Sequence, residues 1–276
     1  MKGPFLLLLT TIFYAISHSL VKSLGADLHV AQLAFVRFIS APIILIPWFW
    51  VMKKQFHLHS WPLLSLRTLF GISGMLLYFW ALIIGDPGKV SLIFQTSSIW
   101  AILLSSLLFK DKLSRNSLLS IPITFIGLTL ITLPEFGNTT LFADSLALIA
   151  SLLNTGVYLS LKALRQNSSS DAIMLANYSI SSVILAIPCF SMSMPVFSPP
   201  IIISLLLIST IGFLGNFLMT IGFKYTSASI ASVMMTLTVP WMYISGLLFF
   251  QETVTLVSLV GAILVFSSVA YISYQR

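Results

Sequence analysis

Arg37 is the most unusual residue of this sequence, because its charged side chain lies within the apolar run at roughly 30–51. A charged side chain at membrane depth costs about 2.5 kcal/mol or more on insertion scales, and such residues usually face a cavity or a partner. One interpretation is a fixed positive charge that binds a carboxylate or phosphate of a ligand. The alternatives are a structural clamp on backbone carbonyls and a side chain that extends to the membrane surface.

Tyrosine, histidine and amide side chains recur at helical spacing in other apolar runs. Tyr14 and His18 are four residues apart, and Asn154 and Tyr158 repeat that spacing, so each pair shares one helix face. Aromatic walls with a few amides suit an amphipathic or cationic solute, through stacking and cation–π contacts. The candidate substrate-binding residues are Tyr14, His18, Arg37, Tyr78, Gln95, Trp100, Asn154, Tyr158, Asn177, Tyr178, Asn216 and Trp241.

Several of these residues also have a structural explanation. His18 could titrate near neutral pH and couple protons, but a lone histidine is more often a hydrogen-bonded packing residue. Trp100 and Trp241 could face lipid or pack between helices, and Asn216 could join two helices. No Asp or Glu lies at mid-depth in any apolar run. Coupling through a buried carboxylate therefore has no residue to carry it, which favours facilitated diffusion or exchange.

The composition predicts the elements that position these residues. Of the 276 residues 58% are hydrophobic and 8% are charged, whereas a soluble domain carries about 25% charged residues. About 20 apolar residues cross the hydrocarbon core of a membrane, and runs of that length predict an all-α integral membrane protein with ten transmembrane helices. The predicted helices lie at roughly 5–23, 30–51, 63–84, 88–109, 116–133, 143–164, 172–191, 200–222, 226–249 and 254–274.

The basic residues predict the orientation of these helices, since cytoplasmic loops are enriched in Lys and Arg. With a cytoplasmic N-terminus, 11 of the 14 basic residues, Arg67 among them, fall on the inner side, whereas Lys22 and Lys89 fall on the outer side. Both termini are therefore predicted to be cytoplasmic, in a multi-pass protein of the inner (cell) membrane. The basic residues behind the net charge of +7 then fix the topology and contact anionic lipid headgroups. We expect no binding of nucleic acid.

The chain also resembles itself at an offset of 141 residues, and a one-residue shift brings Lys22 onto Lys162. We predict two five-helix repeats, at residues 1–137 and 138–276. Because each repeat has an odd number of helices, the second must insert upside down relative to the first, as in many secondary transporters with a midplane site. The aligned pairs include Gly71 with Gly212, Gly74 with Gly215, Ser91 with Ser232, Trp100 with Trp241 and Asp111 with Glu252.

Motifs in both halves resemble the EamA-type transporters of the drug/metabolite transporter superfamily, over essentially the whole chain. The residues that carry the resemblance are Lys224–Ser232, Pro240, Gly246 and Glu252 in the second repeat and Phe35–Phe38, Gly71, Gly74 and Asp111–Ser114 in the first. The resemblance implies two inverted five-helix bundles in which helices 1–4 and 6–9 line a central cavity. It also implies traffic in small organic solutes such as amino acids, nucleotide-related metabolites or quaternary amines.

Two positions depart from the family pattern. The first repeat has Ile99 where the second has Pro240, so helix 4 is expected to lack the break that a proline places in helix 9. Pro240, in the middle of its helix, is the best candidate for a gating break. Small drug exporters of the superfamily carry a glutamate inside their first helix, and here that helix has none.

The expected function is secondary transport of a small organic metabolite by alternating access. We find no Gly-x-Ser-x-Gly, His-Glu-x-x-His or Walker-type motif, so we expect no enzyme activity, cofactor or metal. By resemblance, the substrate is an amino acid or an amino-acid derivative, including S-adenosylmethionine-like solutes. The alternatives are a membrane enzyme acting on lipid-linked substrates and a non-transporting membrane subunit. The expected partners are the solute and the lipid bilayer, and the chain is a monomer or a homodimer.

Overall fold

The computed structural model describes residues 2–85, 87–109, 115–132, 141–192, 198–250 and 255–274. Within these residues the chain forms twelve α-helices and no β-strand. The helices are α1 Lys2–Leu24, α2 Val30–Val51, α3 Trp61–Ile84, α4 Pro87–Gln95, α5 Ser97–Phe109, α6 Arg115–Thr132, α7 Leu141–Asn167, α8 Ser170–Ser191, α9 Pro199–Gly222, α10 Ala228–Met235, α11 Thr238–Phe250 and α12 Leu256–Tyr274.

Eight stretches of the described chain are long and apolar enough to cross a membrane, counting α4–α5 and α10–α11 as one stretch each. Two shorter apolar helices, Ile121–Leu130 and Leu259–Tyr271, lie within α6 and α12. Each predicted helix is present, with ends within about three residues of the expected positions. The count of ten spans, the inverted repeats and the cytoplasmic termini stay predictions. The repeat boundary at 137/138, the Asp111–Ser114 motif and Glu252 lie outside the described residues.

Polar residues at the ends of the apolar runs start several helices. The Ser60 hydroxyl accepts a hydrogen bond from the backbone N–H of Leu63, and Ser227 does the same for Ile230. At α2, His29 accepts from the backbone of Ala31 while the Gln32 side chain accepts from the backbone of His29. These side chains pair backbone donors that the first helical turn leaves without a partner.

The fourth predicted span is broken in the structure, so the expectation of an unbroken helix 4 was wrong. Thr96 separates α4 from α5, although no proline is near. Its hydroxyl donates to the Ile93 carbonyl at 2.7 Å, its backbone N–H bonds to the same carbonyl at 3.1 Å, and its hydroxyl lies 3.1 Å from that of Ser151. Threonine hydroxyls that bond to carbonyls of the preceding turn slightly destabilise a helix and often bend it.

The expected break before Pro240 is present between α10 and α11. Proline has no N–H to give to the carbonyl four residues earlier, and its ring clashes with that carbonyl, which here belongs to Thr236. The Thr236 carbonyl instead accepts from the Val239 N–H at 3.1 Å. Leu237 in this break follows Thr96 by 141 residues, so the two breaks occupy aligned positions in the two halves.

The helices pack mainly across the two halves of the chain. The most extensive contacts pair α3 with α7, α1 with α9, α6 with α12 and α2 with α8. Large apolar side chains such as Trp50, Leu107 and Ile187 are exposed on the outside of this bundle, as suits a surface that meets lipid.

Two aligned lysines hold equivalent helix ends. The Lys22 ammonium on α1 donates to the carbonyls of Ile83 and Gly85 at the end of α3, both at 3.0 Å. The Lys162 ammonium on α7 donates to the carbonyls beyond α9, at 3.3 Å for Phe223 and 2.6 Å for Thr226. Ammonium groups at helix C-termini pair carbonyls that the helix leaves free.

Candidate functional site

A partly open cavity of about 90 Å³ lies between the two halves of the chain. Its lining residues come from α1, α2, α3 and α4 of the first half and from α7, α8, α9, α10 and α11 of the second. Among the described residues, none of α6 or α12 lines it. The helices that do line the cavity belong to the predicted helices 1–4 and 6–9, which the resemblance implied for a central cavity.

The cavity brings together nine of the twelve candidate residues. They are Tyr14, His18, Arg37, Tyr78, Gln95, Asn154, Tyr158, Asn177 and Asn216. Their helices are far apart in the sequence, so the fold itself creates the cluster. Their binding roles stay predictions.

The other three candidates do not line the cavity. Tyr178 is fully buried beside it, with its ring 4.9 Å from that of Phe38. Trp100 is 40% exposed on α5, and Trp241 packs on Phe266 with ring centroids 5.0 Å apart. These positions agree with the lipid-facing and packing alternatives for the two tryptophans.

Arg37 is only 2% exposed, so its side chain does not extend to the membrane surface. Its Nη1 donates to the Ser17 hydroxyl at 3.4 Å, and its Nε has no hydrogen-bond partner among the described residues. The guanidinium carbon lies 5.1 Å from the ring centroid of Tyr14 and 5.7 Å from that of Phe79, as in cation–π contacts. No described backbone carbonyl accepts from it, so the carbonyl clamp is absent here.

Arg67 is a cavity residue that the sequence interpretation missed, because it was counted among the basic residues of the inner side. It is 2% exposed and lines the cavity from α3. Its Nε and Nη1 have no hydrogen-bond partner among the described residues. The missed signal was depth: Arg67 lies six residues after the start of α3, whereas Arg37 lies seven after the start of α2.

His18 is enclosed by aromatic rings. It stacks on Tyr14 with ring centroids 5.6 Å apart and meets the Tyr78 and Phe79 rings edge-on at 5.1 and 6.2 Å. The Tyr78 hydroxyl lies 3.5 Å from its Nδ1 and 3.2 Å from the Ser91 hydroxyl. These contacts fit the packing explanation of His18, and proton coupling through it stays a prediction.

The amide side chains leave hydrogen-bond acceptors free in the cavity. Asn154 donates to the Ser97 hydroxyl at 3.1 Å, and Gln95 donates to the Met235 carbonyl at the end of α10, also at 3.1 Å. The side-chain oxygens of Gln95 and Asn216 are buried without a partner among the described residues. An unpaired buried acceptor costs free energy, and a donor on a bound ligand would satisfy it.

The charge of the cavity lining is positive, since its described residues include two arginines and no carboxylate. Asp144 pairs with Lys89 at 2.6 Å, and Asp171 pairs with Lys54, both in the first turn of a helix. Within the described chain, no three His, Cys, Asp or Glu residues cluster as metal ligands. The other acidic residues are Asp27, which is exposed, and Asp86, Asp111, Glu135 and Glu252, which lie outside the described residues.

Comparison with known proteins agrees with this architecture. Residues 1–133 and 141–274 each match the EamA-like transporter family. The chain belongs to that family. As an EamA-like transporter it is a multi-pass membrane protein. The family name indicates a transporter rather than an enzyme.

Similar proteins extend over almost the same length. Two Helicobacter pylori proteins, from strains J99 and 26695, are each named "uncharacterized transporter". They are 24% identical to this EamA-like chain over 275 and 276 residues, which covers 96% of this chain and 92% of each relative. A protein of known crystal structure shares the fold with a TM-score of 0.75 at 14% identity, covering 98% of this chain and 96% of that one.

Proposed function

We propose that this EamA-like protein is a secondary transporter of an amino acid or amino-acid derivative, working by alternating access in the inner (cell) membrane. The proposal includes ten spans in two inverted repeats with both termini cytoplasmic. The observation that carries it is the buried, incompletely paired Arg37 in a cavity that both halves of the chain build.

The cavity supplies separate groups for the two ends of an amino acid. The Nε of Arg37 can donate to the substrate carboxylate, and a charge-assisted bond of this kind is about twice as strong as a neutral one. The free side-chain oxygens of Gln95 and Asn216 can accept from the ammonium group. Aromatic rings of Tyr14, Phe70 and Phe94 cover the remaining wall and can enclose an apolar or aromatic side chain.

The same charges narrow the substrate range. Two arginines without a carboxylate in the described lining repel a solute with net positive charge. S-adenosylmethionine-like and quaternary-amine solutes therefore fit less well than neutral or acidic amino acids.

In this proposal the broken helices are the elements that move during alternating access. The breaks at Thr96 and at Thr236–Leu237 occupy aligned positions, and Gln95, Met235 and Thr238 beside them line the cavity. Broken helices at a midplane site are a common feature of secondary transporters. Opposite tilting of the half-helices would open the cavity to one side of the membrane at a time.

Counterflow in proteoliposomes tests this proposal. Vesicles are preloaded with one unlabelled amino acid at a time, and accumulation of the same labelled solute is followed. The proposal expects saturable accumulation of amino acids and little of quaternary amines. Binding of lipid-linked substrates with no counterflow of any amino or organic acid would contradict it, and would favour a membrane enzyme or a non-transporting subunit.

A further inference from the structure

We infer that the cavity binds two acidic groups of one solute at the same time, one at Arg37 and one at Arg67. The substrate class is then a dicarboxylate, including an amino acid with an acidic side chain. This inference rests on the proposed function, because it assumes that the cavity is the transport site.

Both arginines line the same cavity, Arg37 from α2 and Arg67 from α3. Tyr14 and Tyr178 each interact electrostatically with both guanidinium groups. Of the two arginines, only Arg37 interacts with His18 and Tyr78. Both guanidinium groups therefore lie within electrostatic reach of the tyrosine pair, and Arg37 is also within reach of His18.

The arginines also lie at different depths in the membrane. At 1.5 Å per residue, Arg37 is about 10 Å from the start of α2 and Arg67 is about 9 Å from the start of α3. These consecutive helices are joined by the short segment 52–60 and so run in opposite directions. With 22 and 24 residues they are about 33 and about 36 Å long, so the two Cα atoms lie on opposite sides of the midplane.

Both arginines retain donors that point to a ligand. Nε of Arg37, and Nε and Nη1 of Arg67, are buried with no hydrogen-bond partner among the described residues. A guanidinium presents its donors in a fixed planar fork that matches a carboxylate. Because the two forks enter the cavity from different helices, each can bind its own carboxylate.

Charge balance selects a diacid over a neutral amino acid. Two buried positive charges without a partner are costly, and the described lining offers no carboxylate to compensate them. A zwitterion brings one carboxylate but no net charge, so one arginine stays uncompensated. A solute with two carboxylates compensates both.

The test compares solutes that differ by a single acidic group. Counterflow rates are measured in proteoliposomes for glutamate against glutamine, for aspartate against asparagine, and for glutarate as a diacid without an ammonium group. We expect the wild-type protein to prefer the acid of each pair by about tenfold or more, the factor that one charge-assisted hydrogen bond provides. Glutarate should compete with labelled glutamate, whereas inorganic phosphate, which has only one anionic group, should compete weakly.

Variants of Arg67 test whether this residue causes the preference for the acid. Arg67→Gln should bring the glutamate-to-glutamine ratio close to one, while Arg67→Lys should retain part of the preference. Arg165→Gln is the matched control, because it removes a basic side chain that lies outside the cavity, and the ratio should not change. If Arg67→Gln does not fold, the wild-type preference and Arg67→Lys still decide the question.

The outcomes separate this inference from the proposed function. Equal counterflow of glutamine and glutamate in the wild-type protein would overturn the inference and leave amino-acid transport standing. An unchanged ratio in Arg67→Gln would overturn it as well. Absence of saturable counterflow for every amino and organic acid would overturn the proposed function itself.

Discussion

Two arginines distinguish this cavity from an ordinary helix interface. Arg37 and Arg67 are each 2% exposed, and each keeps at least one N–H without a partner among the described residues. Interhelix packing alone does not require a guanidinium with free donors. We therefore propose that both arginines bind the solute rather than stabilise the fold.

Replacing Arg37 with glutamine should lower transport without lowering stability. Exchange of carboxylate-bearing solutes should fall by about tenfold to a hundredfold, the range expected for hydrogen bonds to a charged group. The melting temperature of the purified protein should stay the same or rise, because the variant removes a buried charge that is not fully paired. Counterflow and thermal melting in detergent measure the two effects.

Arg37→Lys, which keeps the charge, is the companion variant and should retain part of the exchange. A lowered melting temperature in Arg37→Gln, together with equal loss for anionic and cationic solutes, would instead mean that Arg37 is structural.

Gly71 should tolerate a larger side chain at the expense of cavity volume. A Cβ at this position meets nothing within 4 Å, and the residue lines the cavity. We predict that Gly71→Val lowers exchange of large amino acids more than that of small ones, with an unchanged melting temperature. Counterflow with a size series of amino acids measures this.

Gly74→Val is the control, because it adds the same side chain at a tightly packed position. A Cβ at Gly74 lies 3.2 Å from the Cβ of Leu153. Overpacking of this kind costs about 1–3 kcal/mol, so Gly74→Val should lower the melting temperature. Equal effects of the two variants on stability would contradict the assignment of Gly71 to the cavity.

Sequence reasoning located the cavity residues that have a helical period or an unusual depth. The spacing of Tyr14 and His18 placed them on one face, and the depth of Arg37 marked it as exceptional. Arg67 escaped notice because a basic residue close to an inner loop also fits a topology signal. The direction in which the Trp100 side chain points was not predictable from the sequence, because it depends on the helix break at Thr96.

At the scale of helices, we propose that the aligned breaks are the segments that move during transport. Pro240 should be responsible for the break between α10 and α11, because it cannot donate to the Thr236 carbonyl. Pro240→Ala supplies that donor, so we expect a more continuous helix, a higher melting temperature and slower exchange. Counterflow rates and thermal melting of the purified variant check this expectation.

Pro188→Ala is the matched control, since Pro188 lies inside α8 without breaking it. Its effect on the exchange rate should be small. Exchange by Pro240→Ala at the wild-type rate would contradict a gating role for the break.

The helix positions were predictable because apolar length fixes them, whereas the break at Thr96 was not. At that break the Thr96 hydroxyl bonds to the Ile93 carbonyl and meets the Ser151 hydroxyl on α7. Threonine is common in unbroken membrane helices, and Thr155 in the unbroken α7 also bonds across to α5, so the residue type does not mark the break in advance. A proline, in contrast, is visible in the sequence itself.

At the scale of the whole molecule, the distribution of basic residues predicts the orientation in the membrane. Single cysteines at two exposed positions outside the helices, Ala26 and Gln55, test it in a Cys189→Ser background. A membrane-impermeant thiol reagent should label Ala26→Cys in intact cells and Gln55→Cys only after the membrane is opened. The reverse pattern would contradict cytoplasmic termini.

The self-similarity at 141 residues is matched by contacts that the sequence alone did not reveal. Lys22 and Lys162 align within one residue, and each binds carbonyls at the end of the helix two spans further along its own half. The sequence indicated the repeat through its glycines and tryptophans. The lysine contacts depend on where the helix ends meet, and only the folded chain shows that.

If the cavity opens in turn to each side of the membrane and holds the solute, a cysteine at Gly71 should be accessible from both sides and protected by the solute. The space beside Gly71 accepts a thiol without displacing a neighbour. In Cys189→Ser proteoliposomes, Gly71→Cys should react with an impermeant reagent supplied on either side, and the transported amino acid should slow both reactions. Reaction from one side only, or at a rate that no transported solute changes, would contradict the account.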